Sequence, residues 1–418
     1  MEIWLVHIGE LLPVDGPSRL FRYGILAEML AERGHSVVRW APTFVHAYKR
    51  QRARRDCTVA VSDLYRIELL YARGYSKNIG FGRLWFNRRV ASAFRRRLKD
   101  ESPPDIILSA LPSPGMCRVA IEYAGCHNIP VVIDVRDLWP DIFLTVLPEW
   151  LRRLGEIALR PAFEVNRFIF READAVTAVS SSYLDWGLRY AGRERRDTDA
   201  VFPLASLEES FSRERIDAER RFLQERGVAP GRFTCCFFGQ FEASYDLETV
   251  IGAAERLERT HGGRFQFVLC GDGAKMPYLR HRAGGLSNVV MPGWVSPATI
   301  QALMEMSDAG LAAYVRNAPQ SLPNKVFEYF SGGLPVLSSL RGELDRIISE
   351  SGCGLSYEAG DAEGLASAVL KLHGDPELRR RMGENARRLF EERFSAGRVY
   401  SSMIDHLERL AGMRVAGH

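Results

Sequence analysis

The densest chemistry in the chain lies in residues 321–344, SLPNKVFEYFSGGLPVLSSLRGEL. Pro323 suits the first turn of a helix, and Asn324 and Lys325 then stand beside its N-terminus, where unpaired backbone N–H groups and the macrodipole favour a phosphate. Glu328 lies one turn further in, where a carboxylate can accept two hydrogen bonds from vicinal hydroxyls. The Gly332-Gly333 pair ends the helix and lets the apolar run LPVLSS begin close behind it. A Lys and a Glu one turn apart also make an ordinary surface pair, and local physics leaves both readings open.

Three further groups could act with these. Gly271-Asp272-Gly273 follows the apolar run FQFVLC, so its backbone could approach a ligand closely, although a simple turn reads the same way. Trp294, in MPGWVSP, suits stacking on a planar base as well as a core position. Asp134, Arg136 and Asp137 stand at and just past the end of PVVIDV (130–135), where a doubly wound sheet presents reactive side chains. An internal Arg–Asp pair holding that loop is the competing reading. The seven cysteines show no Cys-x-x-Cys pair and read as reduced, buried residues, and the nine histidines show no zinc-ligand spacing, so no metal is expected.

Positioning these groups requires parallel sheets. Short β-rich runs alternate with amphipathic helical stretches along the whole chain, the pattern of α/β proteins. IWLVHI (3–8), HSVVRW (35–40), DIILSAL (105–111), PVVIDV and AVTAVS (175–180) form one block, with a long helix over 149–172. FTCCFFG (233–239), FQFVLC (265–270), NVVMPG, DAGLAAY and LPVLSS form the second. A chain of 418 residues with 46% hydrophobic content has room for two such domains. The start, MEIWLVHIGE, lacks a signal-peptide pattern, and no apolar run is long enough to span a bilayer, so a cytoplasmic protein is expected.

Charge is uneven. Residues 49–99 carry 15 Lys or Arg against 3 Asp or Glu, a balance of +12, so the rest of a chain that totals +4 nets −8. The helix LWFNRRVASAFRRRLK (84–99) sets Phe86, Val90, Phe94 and Leu98 on one stripe and Arg88, Arg89, Arg95 and Arg96 elsewhere. With KRQRARR (49–55), those arginines suit an anionic membrane surface or a lipid-linked diphosphate, with weakening expected as salt rises. No aromatic-interleaved nucleic-acid module accompanies them, so nucleic acid is not expected as a partner.

Residues 321–344 resemble the donor-binding signature of glycosyltransferase family four. The likeness extends to DAEGLASAVLKLHGDPELRRRMGENARRLFEERF (361–394), the loop at 271–273 and LAEMLAERGHSVV (26–38). IDVRDLWPD (133–141) is similar to the subgroup that builds O-antigen, capsule and other exopolysaccharide repeats. The resemblance implies a GT-B fold, two facing Rossmann-like doubly wound domains: residues 1–202 binding the acceptor and 203–394 the nucleotide sugar. Residues 395–418 would form a helix packing back on the first domain. It implies retaining, metal-independent transfer from a nucleotide sugar, with no other cofactor. The expected donor is UDP-linked, carrying an N-acetylated hexose or a deoxyhexose, and the expected acceptor is a lipid-linked saccharide on the cytoplasmic face of the membrane.

The departures from the family pattern matter as much. Glu328 matches the second of two glutamates seven residues apart, but the first position holds Gln320, which can hydrogen-bond a sugar hydroxyl yet supplies no charge to an oxocarbenium-like transition state. Gln240 follows Gly239 where an arginine is usual, and Tyr245-Asp246 stands where Lys-Gly is common. Lys325, Arg316 and the backbone N–H groups near Gly239 and Gly9 remain to neutralise a diphosphate. Where some members place a histidine, this chain has Arg136, so Asp134, Arg136 and Asp137 are assigned to polarisation or acceptor binding. A nucleotide-sugar 2-epimerase of the same fold and a catalytically silent scaffold are the competing functions.

Overall fold

The computed structural model describes residues 1–16, 20–46, 48–76, 81–145, 147–205, 211–318 and 320–415, and the elements below are those of the described residues. The chain divides into two compact units, Met1–Pro203 with Val399–His418, and Leu204–Arg398.

Unit one is built on β1 (Glu2–Val6), β2 (Ser36–Pro42), a short antiparallel ribbon of β3 (Phe44–Val45) and β4 (Arg50–Gln51), then β5 (Cys57–Ser62), β6 (Tyr65–Leu70), β7 (Ile106–Leu111), β8 (Val131–Val135), β9 (Ala175–Ala178) and β10 (Ala200–Val201). The sheet order is β10-β9-β8-β7-β1-β2-β6-β5, parallel except for β5 at one edge. Every residue of β7, β8 and β9 is buried, as strands covered on both faces must be. β5 and β6 have no counterpart in the sequence reading, because their residues fall in a basic stretch read for its charge. The exposed-and-covered alternation of CTVAVS marks β5 as an edge strand.

The helices of unit one are α1 (Arg22–Glu32), α2 (Phe81–Arg97), α3 (Pro114–His127), α4 (Ile142–Thr145), α5 (Glu149–Glu172) and α6 (Ser181–Ala191). α2, α3, α5 and α6 lie side by side in that order. Under them Trp4 meets Trp40 edge-on at 5.2 Å, and Trp40 meets Phe94 at 4.9 Å.

Unit two has β11 (Phe233–Phe238), β12 (Phe265–Cys270), β13 (Val289–Gly293), β14 (Ala309–Ala312), β15 (Val336–Ser338) and β16 (Gly354–Ser356), all parallel in the order β13-β12-β11-β14-β15-β16. Around them run α7 (Arg213–Glu225), α8 (Leu247–His261), α9 (Met276–Arg282), α10 (Pro297–Glu305), α11 (Asn324–Ser331), α12 (Glu343–Ser351), α13 (Ala362–Gly374) and α14 (Pro376–Leu389). Alternate residues of β11 feed two cores. Cys235 and Phe237 enter one and Cys236 and Phe238 the other, the two-residue period of a strand.

The last helix, α15 (Ala396–Val415), carries Asp405 2.5 Å from Arg33 and Glu408 2.8 Å from His35. All seven cysteines are free, but Cys126 is exposed and Cys57 half-buried, a correction to the expectation that all are buried. Strand order reverses once in each sheet, between β1 and β7 and between β11 and β14. Ligands of such sheets sit outside the carboxyl ends of the strands at these reversals.

Candidate functional site

In unit two the loops leaving neighbouring strands are locked backbone to backbone. Gly239 donates to the carbonyl of Cys270, Phe241 to that of Asp272, and Gly271 to that of Gly293. Gly239, Gly271 and Gly273 all have positive φ. A Cβ on Gly271 would lie 1.8 Å from the Gly239 carbonyl oxygen, and one on Gly273 2.7 Å from the Phe241 nitrogen. The Gly-Asp-Gly run is therefore a close-approach platform, and its glycines are required by contact as well as by turn geometry. Asp272 is exposed, with Oδ1 accepting from the Gly273 N–H. Trp294 leaves β13 beside this platform and is 67% exposed, so it is not a core residue and its ring is open to a ligand.

Lys325 occupies the centre of the site. Pro323 is the residue just before α11, and no side chain caps the helix N-terminus. Asn324 is exposed there, while Lys325 turns inward and is only 6% exposed. Its Nζ stands 3.4 Å from the centre of the Phe237 ring, 3.9 Å from Tyr245 and 5.9 Å from Tyr314. Among the described residues it has no hydrogen-bond partner. A Cβ on Gly239 would approach Nζ to 3.3 Å, so the ammonium lies against the backbone leaving β11. Burial holds this lysine well below the usual range, against the opposing pull of Glu328.

Tyr245 thus has an assignable place: it forms one wall of a cage around Lys325. Its neighbour Asp246 caps α8, accepting from the Thr249 N–H at 3.2 Å, and also holds the Gly360 N–H. Tyr245 pairs with Tyr314 across an isolated bridge, which joins the loops after β11 and β14. Gln320 is half-buried, and among the described residues its Oε1 has no partner. Arg316 and Gln240 are exposed in the same loops, and Glu328 is half-buried one turn into α11. An unpaired cation, an uncapped helix start, an open indole and a carboxylate one turn on can together hold an anionic, hydroxyl-bearing planar ligand.

In unit one the predicted trio separates. Asp134 is fully buried, gripped by Arg22 through Nε at 2.9 Å and Nη2 at 3.0 Å, and it accepts from the Thr177 hydroxyl. Its oxygens are spoken for and no substrate reaches them, so its assignment as a catalytic group is corrected to one that fixes β8. Arg136 instead reaches across to the end of β1, where it is 2.5 Å from Glu10 and 3.4 Å from His7 Nε2. Sequence reasoning missed Glu10 and His7, although both stand in the loop already marked by Gly9. The Gly9 N–H is directed at His7 Nδ1, 3.3 Å away, rather than outward. Burial, and then Arg136, lower His7 to about 3. Burial would raise Glu10, but Arg136 and Arg39 outweigh it and hold the carboxyl at about 2. Asp137 is half-buried and raised by burial. The edge thus offers a neutral imidazole beside an arginine–carboxylate pair.

The basic face on α2 is less charged than its composition implies. Arg95 pairs with Glu122 and Arg96 with Asp56, leaving Arg88 and Arg89 exposed, the latter over the Trp85 ring at 5.1 Å. Among the described residues no cluster of His, Cys, Asp or Glu is arranged to hold a metal, and no helix is long and apolar enough to cross a membrane.

Comparison with known proteins adds the family. Residues 24–201 match the glycosyl transferase 4-like domain and residues 219–389 the glycosyl transferases group 1 domain. Alpha-D-kanosaminyltransferase of Streptomyces kanamyceticus is 28% identical over 233 residues, 55% of this chain and 59% of that protein. A lipopolysaccharide core biosynthesis glycosyltransferase, LpsD of Rhizobium meliloti, is 25% identical over 180 residues, 42% of this chain and 50% of its own. The chain thus spans about half the length of the curated relatives it matches. Among solved structures, sucrose-phosphate synthase from Thermosynechococcus elongatus has a TM-score of 0.72 at 16% identity, covering 99% of both chains. HepE of Anabaena in complex with UDP has a TM-score of 0.66 at 15% identity, covering 98% of this chain and 100% of its own. With both units matched by family domains and the whole chain by the fold, the protein belongs to the group 1, family four-like glycosyltransferases of the GT-B fold.

Proposed function

We propose that this chain transfers a sugar, an N-acetylated hexose or deoxyhexose, from a UDP-linked donor to a lipid-linked saccharide in cell-surface polysaccharide assembly. Transfer proceeds with retention and needs no metal or cofactor beyond the nucleotide sugar. The observation that carries this reading is the unpaired Lys325 ammonium, buried beside Gly239 at the start of α11. A buried cation without a partner is costly, and an arriving diphosphate would satisfy it.

The other groups take roles around that contact. The uncapped N–H groups of α11 and exposed Arg316 complete the diphosphate site. Glu328 accepts from the ribose hydroxyls, Trp294 stacks on the base, and Gln320 accepts from a hydroxyl of the donor sugar. As the glycosidic bond breaks, charge develops on the leaving diphosphate, and Lys325 stabilises it in a site shielded from water. Unit one supplies the acceptor side, with Arg136 polarising and Asp137 orienting the incoming hydroxyl. UDP is favoured by the fold likeness to a UDP complex, and the saccharide acceptor by the lipopolysaccharide relative.

Calorimetry with UDP, GDP, ADP and uridine, followed by product analysis with UDP-sugars, tests the reading. UDP should bind more tightly than uridine, and label should move from donor to lipid extract. Tighter binding of another nucleotide, or conversion of a UDP-sugar to a new UDP-sugar without acceptor, would overturn it, the latter in favour of an epimerase.

A further inference from the structure

The first half of α5 is exposed on a face that its own sequence makes apolar. Trp150 is 77% exposed, Leu154 61% and Ile157 71%. Pro161 continues the line, so the four residues form one stripe at spacings of four, three and four. In the same turns Leu151, Gly155 and Leu159 face inward, and a Cβ on Gly155 would strike Leu147 and Leu144. Further along the same stripe, Val165 and Phe168 pack on the core. The apolar arc of the helix therefore extends past the part that the protein covers, and only in its first three turns.

Charge flanks this stripe. Arg152, Arg153 and Arg160 are exposed and, among the described residues, make no ion pair, whereas Arg95, Arg96 and Arg118 on neighbouring helices are paired. Beside Ile157 opens a cavity of about 590 Å³ between α5 and α6, lined by Arg160, Arg189, Phe163 and Tyr190 together with Glu156 and Asp141. Arg189 is exposed and also lacks an ion pair, while Asp141 is occupied by the Tyr190 hydroxyl at 2.6 Å. Leu84 and Trp85 are likewise exposed near the start of α2, in the same helix layer. Both helices follow strands of the sheet and so begin at its carboxyl edge.

We propose that this face docks on an anionic lipid bilayer. The Trp150–Leu154–Ile157 stripe enters the boundary between headgroups and acyl chains, and Arg152, Arg153, Arg160 and Arg189 meet lipid phosphates. Exposed tryptophan beside aliphatics and unpaired arginines is the composition of an interfacial helix. A second copy of the chain would bring the same arginines against one another, which disfavours self-association through this face. The proposal does not depend on the donor site, and UDP binding, measured separately, tells the two failures apart.

Sedimentation of the full chain with vesicles of phosphatidylcholine, alone or mixed with phosphatidylglycerol, is the test. The protein should bind the mixed vesicles and release as salt rises. Arg153→Glu with Arg160→Glu should weaken binding by at least about 25-fold, from about fivefold per arginine near an anionic surface. Trp150→Ser, Leu154→Ser and Ile157→Ser together should weaken it by at least about tenfold. If the serine variant fails to fold, the mild Trp150→Phe variant decides: brominated lipids in mixed vesicles should quench the wild-type fluorescence and quench this variant much less. Unchanged binding in the α5 variants, undiminished quenching, or loss of binding only with Arg88→Glu and Arg89→Glu would overturn the proposal. So would a lipid-free dimer that the serine variant dissociates.

Discussion

Lys325 Nζ lies 3.4 Å from the centre of the Phe237 ring, a cation enclosed by aromatic faces and, among the described residues, left without a hydrogen-bond acceptor. The rings soften the cost of burial without cancelling it, since a cation–π contact contributes about 2 kcal/mol even when desolvated. The residue is thus held at a cost in stability that ligand binding would offset.

Lys325→Met keeps the length of the side chain and removes the charge. UDP affinity should fall about tenfold or more while uridine affinity holds, and Tm should rise rather than fall. The folded-state pKa is depressed below 10.5, so the wild type loses stability as pH falls below that value. The variant lacks this loss, so its advantage should be greatest at low pH and vanish above about 10.5. Thermal unfolding of both proteins across pH measures it.

Glu328→Ala should weaken UDP about tenfold to several hundredfold, from about 1.5–3 kcal/mol per charged hydrogen bond. Glu328→Gln should fall between. Calorimetry with 2′,3′-dideoxy-UDP supplies the control: wild type and Ala variant should bind it about equally. A mutational loss that persists with the dideoxy ligand would mean that Glu328 holds the loop and not the ribose.

Gly271→Ala and Gly397→Ala should move stability in opposite directions. The first drives a Cβ to 1.8 Å from the Gly239 carbonyl at φ +149, and should cost several kcal/mol, about 3 or more, with loss of UDP binding. The second lies within α15 with nothing within 4 Å, and should stabilise by about 0.5–1 kcal/mol. Denaturant unfolding of both reads the contrast.

His7 should stay neutral across the physiological range. Because its folded pKa of about 3 lies below the unfolded 6.5, the unfolded chain takes up a proton first as pH falls. Stability should therefore drop by about 1.4 kcal/mol per pH unit between those values. His7→Gln should lack that part of the slope, and Arg136→Lys should lower kcat while leaving UDP affinity unchanged. Urea titrations at several pH values and steady-state kinetics check the two.

Local sequence alone determined the core strands of both sheets and much of unit two, but not β5 and β6, whose residues fall in the basic stretch. Strand boundaries such as FQFVLC and the long helix over 149–172 were legible because burial on both faces leaves continuous apolar runs and helices repeat every 3.6 residues. Lys325, Glu328 and the Gly-Asp-Gly loop were legible because a short stretch holds each. Tertiary structure alone decided what long-range contacts decide. Asp134 is saturated by Arg22, 112 positions away, and Arg136 meets Glu10 across 126. Tyr245, which reads as a lost phosphate clamp, becomes a wall around Lys325 only when the loops after β11 and β14 are joined. Of the four arginines singled out on α2, Arg95 and Arg96 are taken by Glu122 and Asp56, while Trp150, Leu154 and Ile157 stay uncovered. Side-chain type and local spacing are properties of the chain, but partners and exposure exist only once the chain is packed.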